Sequence, residues 1–240
     1  MIGIIGFGRF GALTARYLAE DCTVLVCSGS QPAAAIEAVG ASKATLEEVC
    51  DQPYVILCVP ISAMQPTLEK IAPMLAHDVV VVDVCSVKTY PLDWMQQRLP
   101  DHVAILGTHP MFGPDSAADS LQDRKIVLCN VTTPEVIYRK IRLYLRGRGL
   151  DVIESSPEEH DRQIAISLSL THFIGRSLAE FGADHLRIDT EGYRRLTYTL
   201  EVVEHDTWQL FQDMHRFNPF ARQSREDFMA AMGRINAKLL

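Results

Sequence analysis

Six short aliphatic and β-branched runs, IGIIG, TVLVC, YVILCV, VVVVDV, VAILG and KIVLC, mark the first two thirds of the chain. Helical patterns such as ARYLAE and MQPTLEKIAPMLA separate them. Runs that are apolar at every position, rather than at every second one, suit strands buried on both faces, as parallel strands are when crossover helices cover them. The expected fold class is therefore α/β, a doubly wound, mostly parallel sheet of Rossmann type. A seventh run, DVIES, precedes a change of texture at SSPEEHD. There Ser156, Pro157 and Glu159 fit an N-cap, a first-turn proline and a capping-box glutamate. A long helical pattern follows through IAISLSLTHFIGRSLAEF, with no later strand. The boundary is expected near Ser155, between an α/β domain of residues 1–155 and an all-helical domain of residues 156–240.

Charge narrows the range of partners. A formal net charge of -7 over 240 residues argues against nucleic acid and membrane surfaces, which need a basic face to exchange for counterions. The basic stretch RKIRLYLRGR, Arg139 to Arg148, alternates with apolar residues and reads as one solvated helix face. Met1 leads into IGIIG without a basic leader, and no apolar run reaches membrane-spanning length, so a cytoplasmic protein is expected. The six cysteines form no CxxC pair and read as reduced, mostly buried thiols, with no metal site implied. The helical domain holds more Ile, Leu, Phe and Trp than it can bury alone, so a homodimer through that domain is expected.

Gly6-Phe7-Gly8-Arg9-Phe10-Gly11 follows the first strand and opens the first helix. Glycines there permit a tight turn, close approach of backbone to a pyrophosphate and close helix-to-strand packing, while the helix N-terminus supplies partial positive charge. Gly6, Gly8, Arg9, Phe10 and Gly11 are thus read as cofactor-binding. The second strand ends in Ser28-Gly29-Ser30-Gln31, where an NAD enzyme would carry an acid for the ribose hydroxyls. An acid would repel a 2′-phosphate; its absence beside two hydroxyls, Ser28 and Ser30, favours NADP, with NAD left open. No arginine stands there, and Arg9, across the glycine loop, is the nearest candidate cation. Val59, Pro60 and Ser62, after YVILC, are expected to pass under the cofactor.

Two further strand ends carry polar residues, Asp83-Val84-Cys85-Ser86-Val87-Lys88 and Thr108-His109-Pro110. Parallel strands open at one edge, so Ser86, Lys88 and His109 are expected to converge near a nicotinamide. An imidazole, with an unperturbed pKa of about 6.5, accepts a proton near neutral pH, and a hydroxyl such as that of Ser86 can hold it in one tautomer. A buried histidine satisfied by backbone groups is the structural alternative.

The ordered set GFGRFG, DVCSVK, GTHPMFGP, EEHDRQIA, LTH and TEGYRRL resembles the prephenate and arogenate dehydrogenase family of tyrosine biosynthesis, and most closely its short plant-like arogenate type. The resemblance implies oxidative decarboxylation of a small cyclohexadiene carboxylate, arogenate or prephenate, with hydride transfer to NADP or NAD. By motif, it implies that His109 takes the proton of the 4-hydroxyl and that Ser86 orients His109. It further implies that Asp115 lies close to the site, that His172 faces the substrate, and that Arg194, with Arg195 as the fallback, binds a substrate carboxylate. His160 and Asp161 match the family's HD near a helix start, where Asp161 would favour the helix dipole. Asp206, in HDTWQLF, falls where arogenate-specific members place an aspartate. Arogenate carries an ammonium where prephenate carries a keto group, so a carboxylate there favours arogenate, with prephenate the alternative.

Two other readings compete. A β-hydroxyacid dehydrogenase or imine reductase shares the two-part architecture but typically uses a lysine or an aspartate of its helical domain, and no lysine lies between Lys140 and Lys238. A non-catalytic NADP sensor would have no need of a serine and a histidine converging on the nicotinamide.

Overall fold

The computed structural model describes residues 1–184, 186–204 and 206–239. The chain divides into two compact units, Met1–Pro157 and Glu158–Leu240, against a boundary expected near Ser155.

The first unit is built on one sheet of eight strands: β1 (Ile2–Ile5), β2 (Val24–Cys27), β3 (Ser42–Lys43), β4 (Tyr54–Leu57), β5 (Val80–Asp83), β6 (Ala104–Pro110), β7 (Lys125–Asn130) and β8 (Asp151–Glu154). Their spatial order is β3-β2-β1-β4-β5-β6-β7-β8. The chain runs outward from β1 to β3, then crosses back to β4 on the other side of β1. That reversal opens a crevice at the carboxyl ends of β1 and β4, where doubly wound sheets take their ligands. Every neighbouring pair is parallel except β6 and β7. KIVLC, expected as one more parallel strand, is therefore antiparallel. A loop without a helix joins it to β6, so no crossover turns it around.

Six helices flank the sheet: α1 (Arg9–Ala19), α2 (Ala33–Glu37), α3 (Leu46–Cys50), α4 (Met64–Ile71), α5 (Thr89–Arg98) and α6 (Glu135–Gly147). On one face, Leu13 of α1 and Tyr138 of α6 pack into a cluster with Leu106, Ile126 and Leu128 of the strands. Against the other, Val49 of α3 abuts Gly3 of β1, and Leu92 of α5 abuts Gly107 of β6. Met64, Leu68 and Ile71 of α4 follow a helical i, i+4, i+7 spacing and are fully buried. At roughly 1.5–3 kcal/mol for each such side chain, this double cover holds the strand ends in register.

The described residues of the second unit form helices joined by turns and loops, with no strand among them. Helix α7 (Pro157–Ile164) runs through a π-helical segment, Ala165–Leu170, into α8 (Thr171–Phe181), which ends at Gly182 with a φ of 82°. Then come α9 (Glu191–Glu204), α10 (Trp208–Arg216) and α11 (Ala221–Asn236). Helices α8 and α9 cross closely at Gly175, where a Cβ would come within 2.7 Å of the Thr199 carbonyl oxygen.

Candidate active site

Two of the three glycines in the loop sit where contacts leave no room for a side chain. Gly6 has a φ of 99°, and a Cβ on it would meet the Cys58 carbonyl oxygen at 2.3 Å. A Cβ on Gly11 would meet the Gly6 carbonyl oxygen at 2.5 Å, so this glycine lets α1 sit against the loop. At Gly8 a Cβ would meet nothing within 4 Å. Two glycines thus seat the loop and the third leaves its outer side open. Helix α1 has no side-chain cap on its N-terminal amides and no acid in its first turn. An open loop at uncapped helix amides fits the pyrophosphate of a dinucleotide.

Around the loop, Phe10 is half-buried and packs near Phe112, with ring centroids 6.4 Å apart. Cys58, just before Val59, donates its amide to the Ile5 carbonyl at 2.8 Å, which ties the β4 end to the loop. Pro60 and Ser62 lie exposed beside a short 3₁₀ turn, Ile61–Ala63. Arg9 donates to the Asp115 carboxylate at 2.6 Å, both side chains being more than half exposed. The residue read as a cofactor cation and the one read as lying near the substrate are therefore each other's partners. At the end of β2, Ser28 and Ser30 flank a turn with no acid, and the Lys43 ammonium donates to the Gln31 carbonyl at 2.9 Å.

Strand β5 ends in a buried ion pair. The Lys88 ammonium donates to the Asp83 carboxylate and, at 2.6 Å, to the Thr108 carbonyl. Thr108 returns its hydroxyl to the Asp83 carbonyl at 2.8 Å, and the Cys85 amide donates to the Asp83 carboxylate at 2.7 Å. Both charged side chains are wholly buried. Lys88, expected to face a nicotinamide, instead ties the β5 end to β6, because a carboxylate buried at a strand end needs a counter-charge.

His109 is buried and belongs to β6 itself, where it pairs with Val127 of β7. Strand β5 pairs with β6 only as far as Gly107, opposite Asp83. The antiparallel partner thus carries β6 beyond β5, and a strand rather than a loop holds His109 at the carboxyl edge. The Ser86 hydroxyl, after β5, is buried and has no hydrogen-bond partner. The expected bond from Ser86 to His109 is not made. A buried hydroxyl left without a partner costs about 1–3 kcal/mol and marks a place where a further group would be accommodated.

In the helical unit, His172 of α8 is buried, with its Nε2 3.7 Å from the Asp206 carboxylate and its Nδ1 unpartnered. Burial lowers its pKa, against the opposing pull of Asp206. Arg176, one helical turn on, donates to the Asp206 carbonyl at 2.6 Å and lies over the Trp208 and Phe211 rings, 5.1 Å from each centroid. His215 of α10 meets the Arg225 guanidinium at 2.9 Å through Nδ1. Burial first, then Arg225 and His172, push its pKa down to about 4. The sequence reading named His172 and Asp206 but missed Arg176, His215 and Arg225. The i+4 step from His172 to Arg176 was the signal that could have found the first of them.

The remaining expected residues lie elsewhere. Arg194 and Arg195 are exposed on α9 and pair with Glu191, at 3.4 and 3.1 Å. Neither touches His172 or Asp206, because the i,i+3 and i,i+4 spacings from Glu191 hold both on the helix surface. Asp161 is buried in α7: its carboxylate meets His160 Nδ1 at 2.8 Å, and its carbonyl accepts from Asn218 at 2.8 Å. His205, in the same stretch as Asp206, lies outside the described residues.

Residues 15–154 match the family model described as prephenate dehydrogenase, nucleotide-binding domain, and residues 177–240 match that of a TYRAAT1-like C-terminal domain. Arogenate dehydrogenases 1 and 2 of Arabidopsis thaliana, both chloroplastic, are each 31% identical to the chain over 99% of its length. The chain spans 39% of the first and 69% of the second. The A. aeolicus prephenate dehydrogenase solved with hydroxyphenyl propionate and NAD+ shares the fold at a TM-score of 0.80 and 18% identity, over 99% of this chain and 90% of that one. A glycine loop built for a dinucleotide, a histidine at the carboxyl edge and a match across most of the sheet agree: the chain belongs to the prephenate dehydrogenase family.

Proposed function

We propose that the protein is an arogenate dehydrogenase, which oxidises and decarboxylates arogenate to tyrosine with NADP as the hydride acceptor. The observation that carries this reading is the extension of β6 past β5, which holds His109 at the edge where the glycine loop opens. The bound nicotinamide would accept the hydride from C4. His109, acting as a neutral imidazole, takes the proton of the 4-hydroxyl as the carbonyl forms. When the ring carboxylate leaves as CO2, its bonding electrons aromatise the ring, and His109 returns the proton to what is now the phenol oxygen. No net proton is consumed, so one imidazole serves both steps. In this reading Ser86, whose hydroxyl is unpartnered, orients His109 once the site is filled.

His172 and Asp206 supply the selectivity. A carboxylate 3.7 Å from a buried imidazole suits an ammonium and disfavours the keto oxygen of prephenate, which argues for arogenate over the alternative. Arg194, with Arg195 beside it, is assigned the ring or side-chain carboxylate of the substrate, and Asp115, through its bond to Arg9, the rim of the site. Gly6, Gly8, Gly11, Phe10, Val59, Pro60 and Ser62 would line the dinucleotide, with Ser28 and Ser30 at its adenosine ribose. We assign the protein to a homodimer through the helical unit. Support comes from its exposed apolar side chains, among them Phe181 and Ile188, both 84% exposed, and Trp208. Six free cysteines suit a reducing compartment such as the cytoplasm. No helix among the described residues is long and apolar enough to cross a membrane.

The variant His109→Asn tests the chemistry. It should bind NADPH as the wild type does while kcat falls by about 10²–10⁴, the usual loss with a general base. Turnover within a few-fold of wild type would remove His109 from the mechanism.

A further inference from the structure

The turn after β2 is where a dinucleotide enzyme distinguishes a ribose hydroxyl from a 2′-phosphate, and in this chain that turn holds neither acid nor arginine. The structure brings a cation to it from another element. Strand β3 is only two residues long, and its second residue, Lys43, pairs with Val26 of β2. Ala44 then donates its amide to the Val26 carbonyl at 3.0 Å, so the register is locked on both sides of Lys43. Immediately after, Thr45 opens α3 with a full capping box: its hydroxyl accepts from the Glu48 amide, and the Glu48 carboxylate accepts from the Thr45 amide at 2.8 Å. The backbone that carries Lys43 is thus clamped between a sheet ladder and a helix cap.

From that base the Lys43 side chain reaches back over the Ser28–Gln31 turn, and its ammonium donates to the Gln31 carbonyl at 2.9 Å. An ammonium has three donors, and this bond uses one. Among the described residues Lys43 enters no ion pair, and its side chain is exposed. Arg9, the cation the sequence suggested, is bonded to Asp115 instead. Two hydroxyls, Ser28 and Ser30, and one lysine with donors to spare are the groups that bind a phosphate monoester.

We infer that Lys43 is the residue that selects a 2′-phosphorylated dinucleotide, by pairing its ammonium with the 2′-phosphate over the Ser28–Gln31 turn. The inference rests on the reading of the glycine loop as a dinucleotide site and of NADP as its ligand. It accounts for a second-strand turn without an arginine, since the charge comes from the neighbouring edge strand.

The test is equilibrium binding, read from the fluorescence of NADPH and of NADH, on the wild type and on Lys43→Ala and Lys43→Arg. The wild type should bind NADPH the more tightly. Lys43→Ala should weaken NADPH by about tenfold or more, as expected for loss of one charge-assisted contact. NADH should stay within about twofold, and Lys43→Arg should keep most of the NADPH affinity. Competition by 2′,5′-ADP should weaken in parallel with NADPH. A Lys43→Ala protein that still binds NADPH as the wild type does, or that loses both nucleotides equally, overturns the role of Lys43 and leaves the NADP reading intact. A wild type that binds NADH more tightly than NADPH overturns both.

Discussion

At the end of β5 a carboxylate and an ammonium lie together with no solvent reaching either, and each is useful only because the other is there. Replacing Lys88 by Met would leave the Asp83 charge buried without its counter-charge, with the amide and thiol of Cys85 on it. Loss of one partner of a buried pair costs about 3–5 kcal/mol. Urea unfolding of Lys88→Met should show a loss of that order, and Asp83→Asn combined with Lys88→Met should recover part of it. A loss under about 1 kcal/mol would mean that the pair does not hold the strand end. The same residues show what sequence can and cannot say. The glycines were legible because their spacing between a strand and a helix states a backbone requirement. The place of His109 at the end of β6 was legible because a polar residue there closes an apolar run. The pairings were not: Lys88 with Asp83, Arg9 with Asp115 and Lys43 with the turn after β2 depend on which side chains the folded turns bring within reach.

Among the elements, two departures from the expected pattern have physical causes. β7 reads like its parallel neighbours because a strand buried on both faces is apolar whichever way it runs; only the missing helix between β6 and β7 betrayed its direction. β3 escaped notice because two residues at a sheet edge carry no periodicity. In the helical unit the π-helical segment lies just before His172, a position where such segments are often functional. The same region contains a strongly shifted histidine. His215 titrates at about 4 in the folded protein, below the ordinary 6.5, so the unfolded chain takes up a proton that the folded one refuses. Its contribution is complete above about pH 6.5 and is lost as pH falls from there toward 4. The lowered pKa of His172 acts in the same direction. Thermal unfolding followed by circular dichroism should therefore show a melting temperature that falls faster below pH 6.5 in the wild type than in His215→Asn, which keeps an acceptor for Arg225. Equal slopes would show that His215 does not set the acid sensitivity.

For the whole molecule, the proposed function draws on residues of both the α/β unit and the helical unit. The first carries the dinucleotide loop, His109 and Ser86; the second carries His172, Asp206 and the arginines around them. The apolar side chains that the second unit leaves exposed are what suggest a dimer. The architecture was readable in the sequence because alternation of buried strands with helices is a property of many residues at once, and no single substitution erases it. In the proposed reading, substrate and cofactor identity depend on one or two charges each, Asp206 for the first and the acid-free turn with Lys43 for the second. The central claim is therefore tested most directly by initial rates of absorbance change at 340 nm, with arogenate and prephenate each crossed with NADP and NAD. The account predicts the highest kcat/KM with arogenate and NADP, while turnover confined to prephenate, or to NAD, would contradict it.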